Sequence, residues 1–146
     1  MTSPTAPLDT GPGREGLPLR LRPGDDLRAA VVAALAARGL RAAFVVAGIG
    51  SLGPARLRLA GRPEATTLDG EFEVLTLAGT VAMNGAHLHA ALADADGRVI
   101  GGHVAPGCIV RTTAELLLVP LPGWVFTREP DAATGCEELV MRPAQR

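Results

Sequence analysis

The chain has 146 residues, enough for one domain and too few for most multi-domain enzyme architectures. Hydrophobic residues make up 47% of it and charged ones 20%, so it carries the apolar surface for a packed core and is far from a disordered composition. A net charge of -1 excludes a global field that would draw the molecule onto nucleic acid or an anionic membrane.

All 14 cations are arginines, which grip phosphate well where they cluster. Residues 1–18 carry Pro4, Pro7, Pro12 and Pro18 among Gly, Thr and Ser, which predicts a flexible leader ahead of a single domain over 19–146. The leader has no basic stretch followed by an apolar run, so no export signal is read there. The apolar run from Leu116 to Phe126 is interrupted by Pro120 and Pro122 and falls short of the ~18 residues that span a bilayer. A soluble, cytoplasmic protein without a membrane partner is expected. Cys108 and Cys136 are far apart and form no C-x-x-C pair, so both read as small buried or half-buried residues in a reducing compartment.

Leu19 to Arg22 alternates apolar and basic residues, as a half-buried strand does. Pro23-Gly24-Asp25-Asp26 reads as a helix start, because an Asp side chain accepts from first-turn amides and suits the positive end of the dipole. Leu27, Ala30, Val31, Ala34 and Leu35 recur at helical spacing before Gly39, which predicts one amphipathic helix over about 25–38. The period then becomes two. Ala42 to Ala47 suits a buried strand, and Ala55, Leu57 and Leu59 alternate with Arg56 and Arg58. Further strands are predicted at 72–77, 86–93, 99–102, 109–119 and 124–128, with turns at Asp69-Gly70, Asp96-Gly97 and Asp131 to Gly135. The expected fold class is α+β, a mainly antiparallel β-sheet with one main helix, since no strand-helix alternation supports a doubly wound parallel sheet.

Gly48-Ile49-Gly50-Ser51-Leu52-Gly53 matches G-x-G-x-x-G, but a phosphate-binding loop must open a helix, whereas Pro54 and the Arg56/Arg58 alternation lead into another strand. It reads as a glycine-rich bend between strands. Ser51 has no His or Asp near it in the sequence that would make it a nucleophile.

All three histidines, His87, His89 and His103, fall within 17 residues, and the first two share one strand face. Register decides whether the third joins them. An even-numbered loop would separate them. A three-residue loop of Ala95-Asp96-Gly97, with Gly97 left-handed, sets Asp94 opposite Arg98 and His89 opposite His103, and a bulge at Gly101-Gly102 could restore or undo that match. Three converging neutral imidazoles with one position open suit a divalent transition metal, zinc first; the alternative is three rings that are solvated or satisfied separately. Glu71 and Glu73 share a strand face, and Glu115 stands inside the apolar run 109–119, where a carboxylate would require a partner.

Taken in order, Pro23-Gly24-Asp25-Asp26-Leu27, Gly48-Ile49-Gly50-Ser51-Leu52, Gly70-Glu71-Phe72-Glu73-Val74-Leu75-Thr76-Leu77-Ala78-Gly79, His87-Leu88-His89, Asp96-Gly97, Gly101-Gly102-His103 and Thr112-Thr113-Ala114-Glu115 resemble the plants-and-prokaryotes-conserved (PPC) domain family over about residues 19–142. The resemblance implies a compact α+β domain with a mainly antiparallel sheet, assembled as a homotrimer. It also implies a metal site at His87, His89 and His103; on the reading of the residues themselves, Glu73, Glu115 and Asp94 are the candidate supporting carboxylates. Members are commonly labelled DNA-binding. In plants that label belongs to a separate AT-hook, an Arg-Gly-Arg-Pro core that enters the minor groove. Here only Gly61-Arg62-Pro63 stands, preceded by Ala60 and followed by an acid, so the hook is absent.

The leading expectation is therefore a homotrimeric, zinc-type metal-binding interaction module, its trimer contacts placed at Leu116, Leu118 and Trp124 because the run Leu116 to Trp124 is apolar on both strand faces. The alternative is a small cupin-like metal enzyme, which would use the same H-x-H, a carboxylate near Asp94 and a later His; Val81 stands where such enzymes carry a glycine. A third reading, direct but weak DNA binding, would need Arg20, Arg22, Arg56, Arg58 and Arg62 in one stripe.

Overall fold

A computed structural model of the chain describes residues 16–145. The elements are β1 (Leu17–Leu21), α1 (Leu27–Ala36), β2 (Ala42–Leu52), β3 (Ala55–Arg58), β4 (Thr66–Leu68), β5 (Phe72–Ala82), β6 (Gly85–Ala93), β7 (Val99–Val104), β8 (Val110–Pro120), β9 (Trp124–Asp131) and β10 (Cys136–Pro143). Eight strands form one sheet in the order β1-β8-β2-β5-β6-β7-β3-β4, and β9 and β10 form a separate hairpin. Every pairing is antiparallel. This is the mainly antiparallel α+β class expected from the period-two segments. The leader expected over 1–18 lies, up to residue 15, outside the described residues; Leu17 and Pro18 already belong to β1 and pair with Leu118 and Leu117.

Helix α1 forms because its apolar residues share one face and its first turn is capped. Leu27, Val31 and Leu35 are buried to 1% exposure or less, at the i, i+4, i+8 spacing of one stripe. Asp26 supplies the cap: one carboxylate oxygen accepts from the Ala29 amide at 3.0 Å, and the other accepts from Gly107 at 2.6 Å. Asp25, the other acid of the pair, accepts instead from the Arg22 amide at 2.8 Å. The helix packs over β5 and β6, and its stripe meets Leu52, Leu57, Leu88, Leu92, Val104 and Leu118 in one core cluster.

Strand β2 is longer than its apolar run. It continues through Gly48 and Gly50 to Leu52, so the chain bends at Gly53-Pro54, after most of the glycine-rich segment has run as strand. The glycines are there for close approach. A Cβ at Gly48 would lie 2.9 Å from Leu77 on β5, and one at Gly50, whose φ is +151°, would lie 2.4 Å from the Thr113 carbonyl on β8. No helix opens after the motif, and Pro54 leads into β3.

Strand β8 alternates strictly from Ala114 to Pro120. Leu116 and Leu118, expected at a subunit contact, lie in this chain's own core at 5% and 0% exposure, while Leu117 and Val119 point to the other face at 40% and 38%. Val119 stands opposite Phe44 of β2, which is also exposed, and the outer side of β2 and β5 adds Val46, Ile49 and Leu75. Trp124 begins β9 and is exposed. The β9–β10 hairpin is anchored through Phe126, which packs with Ala42, Ala82, Leu121 and Leu139 and meets Phe44 edge-on at 5.8 Å between ring centroids.

Asp26→Ala removes the acceptor of two backbone amides, one in α1 and one in the loop between β7 and β8. We expect a loss of about 1–3 kcal/mol, read from the urea midpoint; an unchanged midpoint would show that water satisfies both amides.

Candidate metal centre

The turn between β6 and β7 brings the histidines together. The Asp94 amide donates to Arg98 O at 3.0 Å, Gly97 donates back to Asp94 O at 3.0 Å, and Gly97 has a φ of +78°. Asp94 is occupied in building this turn, since its Oδ1 accepts from the amides of Asp96 and Arg98 at 2.9 Å each. Ala95, Asp96 and Gly97 thus form the three-residue loop, and the register runs back to place His89 opposite His103. Gly101 and Gly102 pair in step with Ala91 and Ala90, with no bulge.

Along β6, Ala86, Leu88, Ala90 and Leu92 enter the core, so His87 and His89 stand on the opposite face. Metal-ligating atoms of His87, His89 and His103 lie within 4.8 Å of one another. The ring centroids are 4.9, 4.8 and 5.6 Å apart. Beneath His87 the backbone of β5 must pass close: at Gly79, with φ +152°, a Cβ would lie 2.0 Å from the His87 carbonyl. Ala78, Gly79, Thr80, His87 and His89 line an open concavity of about 290 Å³.

The polar contacts define the protons of this group. The Nη1 of Arg128 approaches His87 Nδ1 at 3.4 Å, and a guanidinium can only donate, so Nδ1 accepts and the ring carries its hydrogen on Nε2. His87 Nε2 then donates to His89 Nε2 at 3.1 Å. Among the described residues His103 Nδ1 is buried without a hydrogen-bond partner, a state that calls for some partner from outside, a water or an ion among them. Burial holds both His87 and His103 below the usual histidine range. For His87 the nearby Arg128 charge adds to it, and for His103, brought down to about 4, His87 and Arg58 add to it. These two rings are neutral near pH 7, the form that binds metals.

None of Glu73, Glu115 and Asp94 joins the group. Glu73 is exposed on β5 opposite Ser51, Glu115 is exposed on β8 opposite Arg20, and Asp94 caps the far end of the hairpin. Glu71 forms an exposed ion pair with Arg111 at 2.8 Å. The buried Ser51 hydroxyl shares a 2.6 Å hydrogen bond with Thr112. Cys108 is fully buried, which pushes its thiol up, and Cys136 is exposed.

The residues that do flank the histidines are arginines. Arg58 pairs in register with His103, and Arg128 reaches in from β9. Nothing in the local pattern around Arg128 marks it, because it stands 41 residues from His87 and arrives only through the packing of the hairpin. The five arginines weighed for DNA do not form one row. Arg20 and Arg22 lie at or beside β1, at one end of the strand order, while Arg56, Arg58 and Arg62 lie in or after β3 near the other. Arg56 also donates to Pro106 O at 3.3 Å.

Because the folded His103 titrates at about 4 against an ordinary 6.5, the unfolded chain takes up a proton between these values that the folded chain refuses. Metal-free protein should therefore lose stability as pH falls from about 6.5 to about 4, and His103→Gln should flatten that part of the curve. Urea midpoints taken at half-unit pH steps in chelator decide it, and parallel curves for the two proteins would remove His103 from the effect.

Comparison with known proteins places the chain and its fold among others. Over 133 residues the chain is 46% identical to a bifunctional protein GlmU of Synechococcus; the match covers 91% of this chain but 21% of that protein, so the chain spans about a fifth of the curated relatives' length. A solved hypothetical protein from Salmonella has a TM-score of 0.84 at 41% identity, covering 90% of this chain and 95% of that one. A protein from Archaeoglobus fulgidus described as metal-containing has a TM-score of 0.72 at 28% identity, with 86% and 93% covered. A structure from Bacteroides thetaiotaomicron, described as a candidate DNA-binding protein, shares the fold with a TM-score of 0.76 at 18% identity, covering 86% and 91%. Residues 9–122 match the Plants and Prokaryotes Conserved (PCC) domain, the family that the ordered motifs resemble, and the chain belongs to it.

Proposed function

We propose that the chain is a homotrimeric interaction module that carries one divalent transition metal, zinc first, on His87, His89 and His103. The observation that carries this reading is the convergence of all three histidines of the chain with a buried, unpartnered His103 Nδ1. The 3.1 Å between His87 Nε2 and His89 Nε2 is close to the ~3.3 Å separating two nitrogens that share a tetrahedral metal at 2.0–2.1 Å. Both nitrogens would ligate after the proton between them leaves, with a modest shift of the His103 ring. The description of the Archaeoglobus fulgidus protein as metal-containing is consistent with such a site.

Self-association rests on the outer sheet face. Phe44, Val46, Ile49, Leu75, Leu117 and Val119 are each between 38% and 58% exposed, a concentration of large apolar side chains that a solitary domain seldom leaves in water. In a three-fold ring each subunit would cover this face with a different patch of its neighbour. We read DNA as at most a weak, non-specific ligand, because the arginines are divided and the net charge is -1. The cupin-like enzyme reading lacks its carboxylate, since Asp94 holds the turn. A module that acts by association also suits the GlmU relatives, in which a segment similar to this chain is a minor part of a longer protein.

Protein purified without a histidine tag and supplied with zinc should contain about one ion per chain by elemental analysis, and His89→Ala should lose it. A metal-free wild type would overturn the site. Light scattering should give the mass of three chains, and Leu117→Arg, which alters the outer face and leaves the core residues Leu116 and Leu118 in place, should give a folded monomer. A wild-type mass of one chain on concentration would refute the assembly.

A further inference from the structure

The surroundings of the three histidines are cationic, which is unusual for a site that would hold a cation. Arg58 is the register partner of His103 on one side, and Arg128 touches His87 on the other. The charge of Arg128 is partly offset by Glu138, whose carboxylate is 3.9 Å from its Nη2. Arg58 is exposed, and the ion pairs among the described residues leave it without an acid.

A divalent ion on three neutral imidazoles would add two positive charges to these two guanidiniums, against the single carboxylate of Glu138. It would also change the bonding of Arg128. With a metal on His87 Nε2 the ring's hydrogen moves to Nδ1, and the guanidinium, itself only a donor, loses its acceptor there. Two arginines would then stand beside an open coordination position, at a concavity floored by the small residues Ala78, Gly79 and Thr80. The ligand that satisfies all of these groups is an anion with several acceptor oxygens, because arginine's fork selects oxyanions and an open position on zinc accepts an oxygen donor.

We propose that the fourth position of the metal takes the oxyanion of a small molecule, a carboxylate or phosphate-like group, held from two sides by Arg58 and Arg128. The inference rests on the metal reading above and deepens it by naming the ligand class. Neither arginine is a metal ligand, so each can be changed without removing the ion.

The test uses the full chain loaded with cobalt(II), whose visible absorption reports its coordination. Sulfate and acetate are titrated separately against chloride at constant ionic strength, sulfate standing for a tetrahedral oxyanion and acetate for a carboxylate. At least one should change the spectrum saturably, and the stronger of the two identifies the preferred shape. Arg58→Gln and Arg128→Gln should each weaken that anion by about tenfold, the scale of one charge-assisted hydrogen bond, with cobalt still at about one per chain. Arg58 is exposed, so its variant tests the idea even if the more enclosed Arg128 variant fails to fold. A loaded protein whose spectrum ignores both anions, or an affinity unchanged by Arg58→Gln, would overturn the oxyanion and leave the metal site standing. Failure of the wild type to take up cobalt would overturn the metal reading and this inference together.

Discussion

The turn from Asp94 to Arg98 decides which residues of β6 and β7 face each other, and the candidate site depends on it. Asp94 commits its backbone and its carboxylate to the turn, and Gly97 takes the left-handed conformation that a side chain would resist. With three residues in the loop, His89 meets His103. One residue more or less would turn one strand over, sending its histidine toward the core and its apolar partners toward water. The same register carries Leu88, Leu92 and Val104 inward, so the hydrophobic core and the histidine group enforce one another.

The sheet's two faces have opposite economies of side chain. The inner face is closed by α1, whose capped first turn also ties down the loop at Gly107 that leads into β8. The outer face carries the histidines toward one side and large apolar residues on β2, β5 and β8. Between them stands β5, where Gly79 lets the strands approach beneath His87 and where Thr80 faces Phe44 on one neighbour and His87 on the other. A cover placed on the apolar part would therefore lie a single strand away from the histidines, which links assembly to the site through the architecture alone.

Part of the electrostatics of the site arises from the hairpin β9–β10, beside burial and the charge of Arg58 on β3. Phe126 seats the hairpin on Ala42 and Ala82, the Met83 amide bonds to Phe126 O, and Asn84 bonds both backbone groups of Arg128. These contacts hold Arg128 against His87, so an aromatic anchor two residues away positions a charge beside the histidines.

The sequence by itself determined the helix and its Asp cap, the antiparallel class and the family, and it named the three-residue loop as one register that would match His89 with His103, a choice the strand pairing then made. These are local matters: periodicity, caps and turn chemistry act over a few residues and leave marks that can be read in order. It did not reveal that Glu115 is exposed, that Leu117 and Val119 rather than Leu116 and Leu118 face outward, or that the glycines of 48–53 serve close approach between strands. An uninterrupted apolar run carries no phase, so only packing against β1 and β2 could tell its two faces apart. The arginines beside the histidines were equally hidden, because Arg58 and Arg128 come from strands distant in the chain. Their meeting is a product of strand order and hairpin docking, which only the tertiary structure decides.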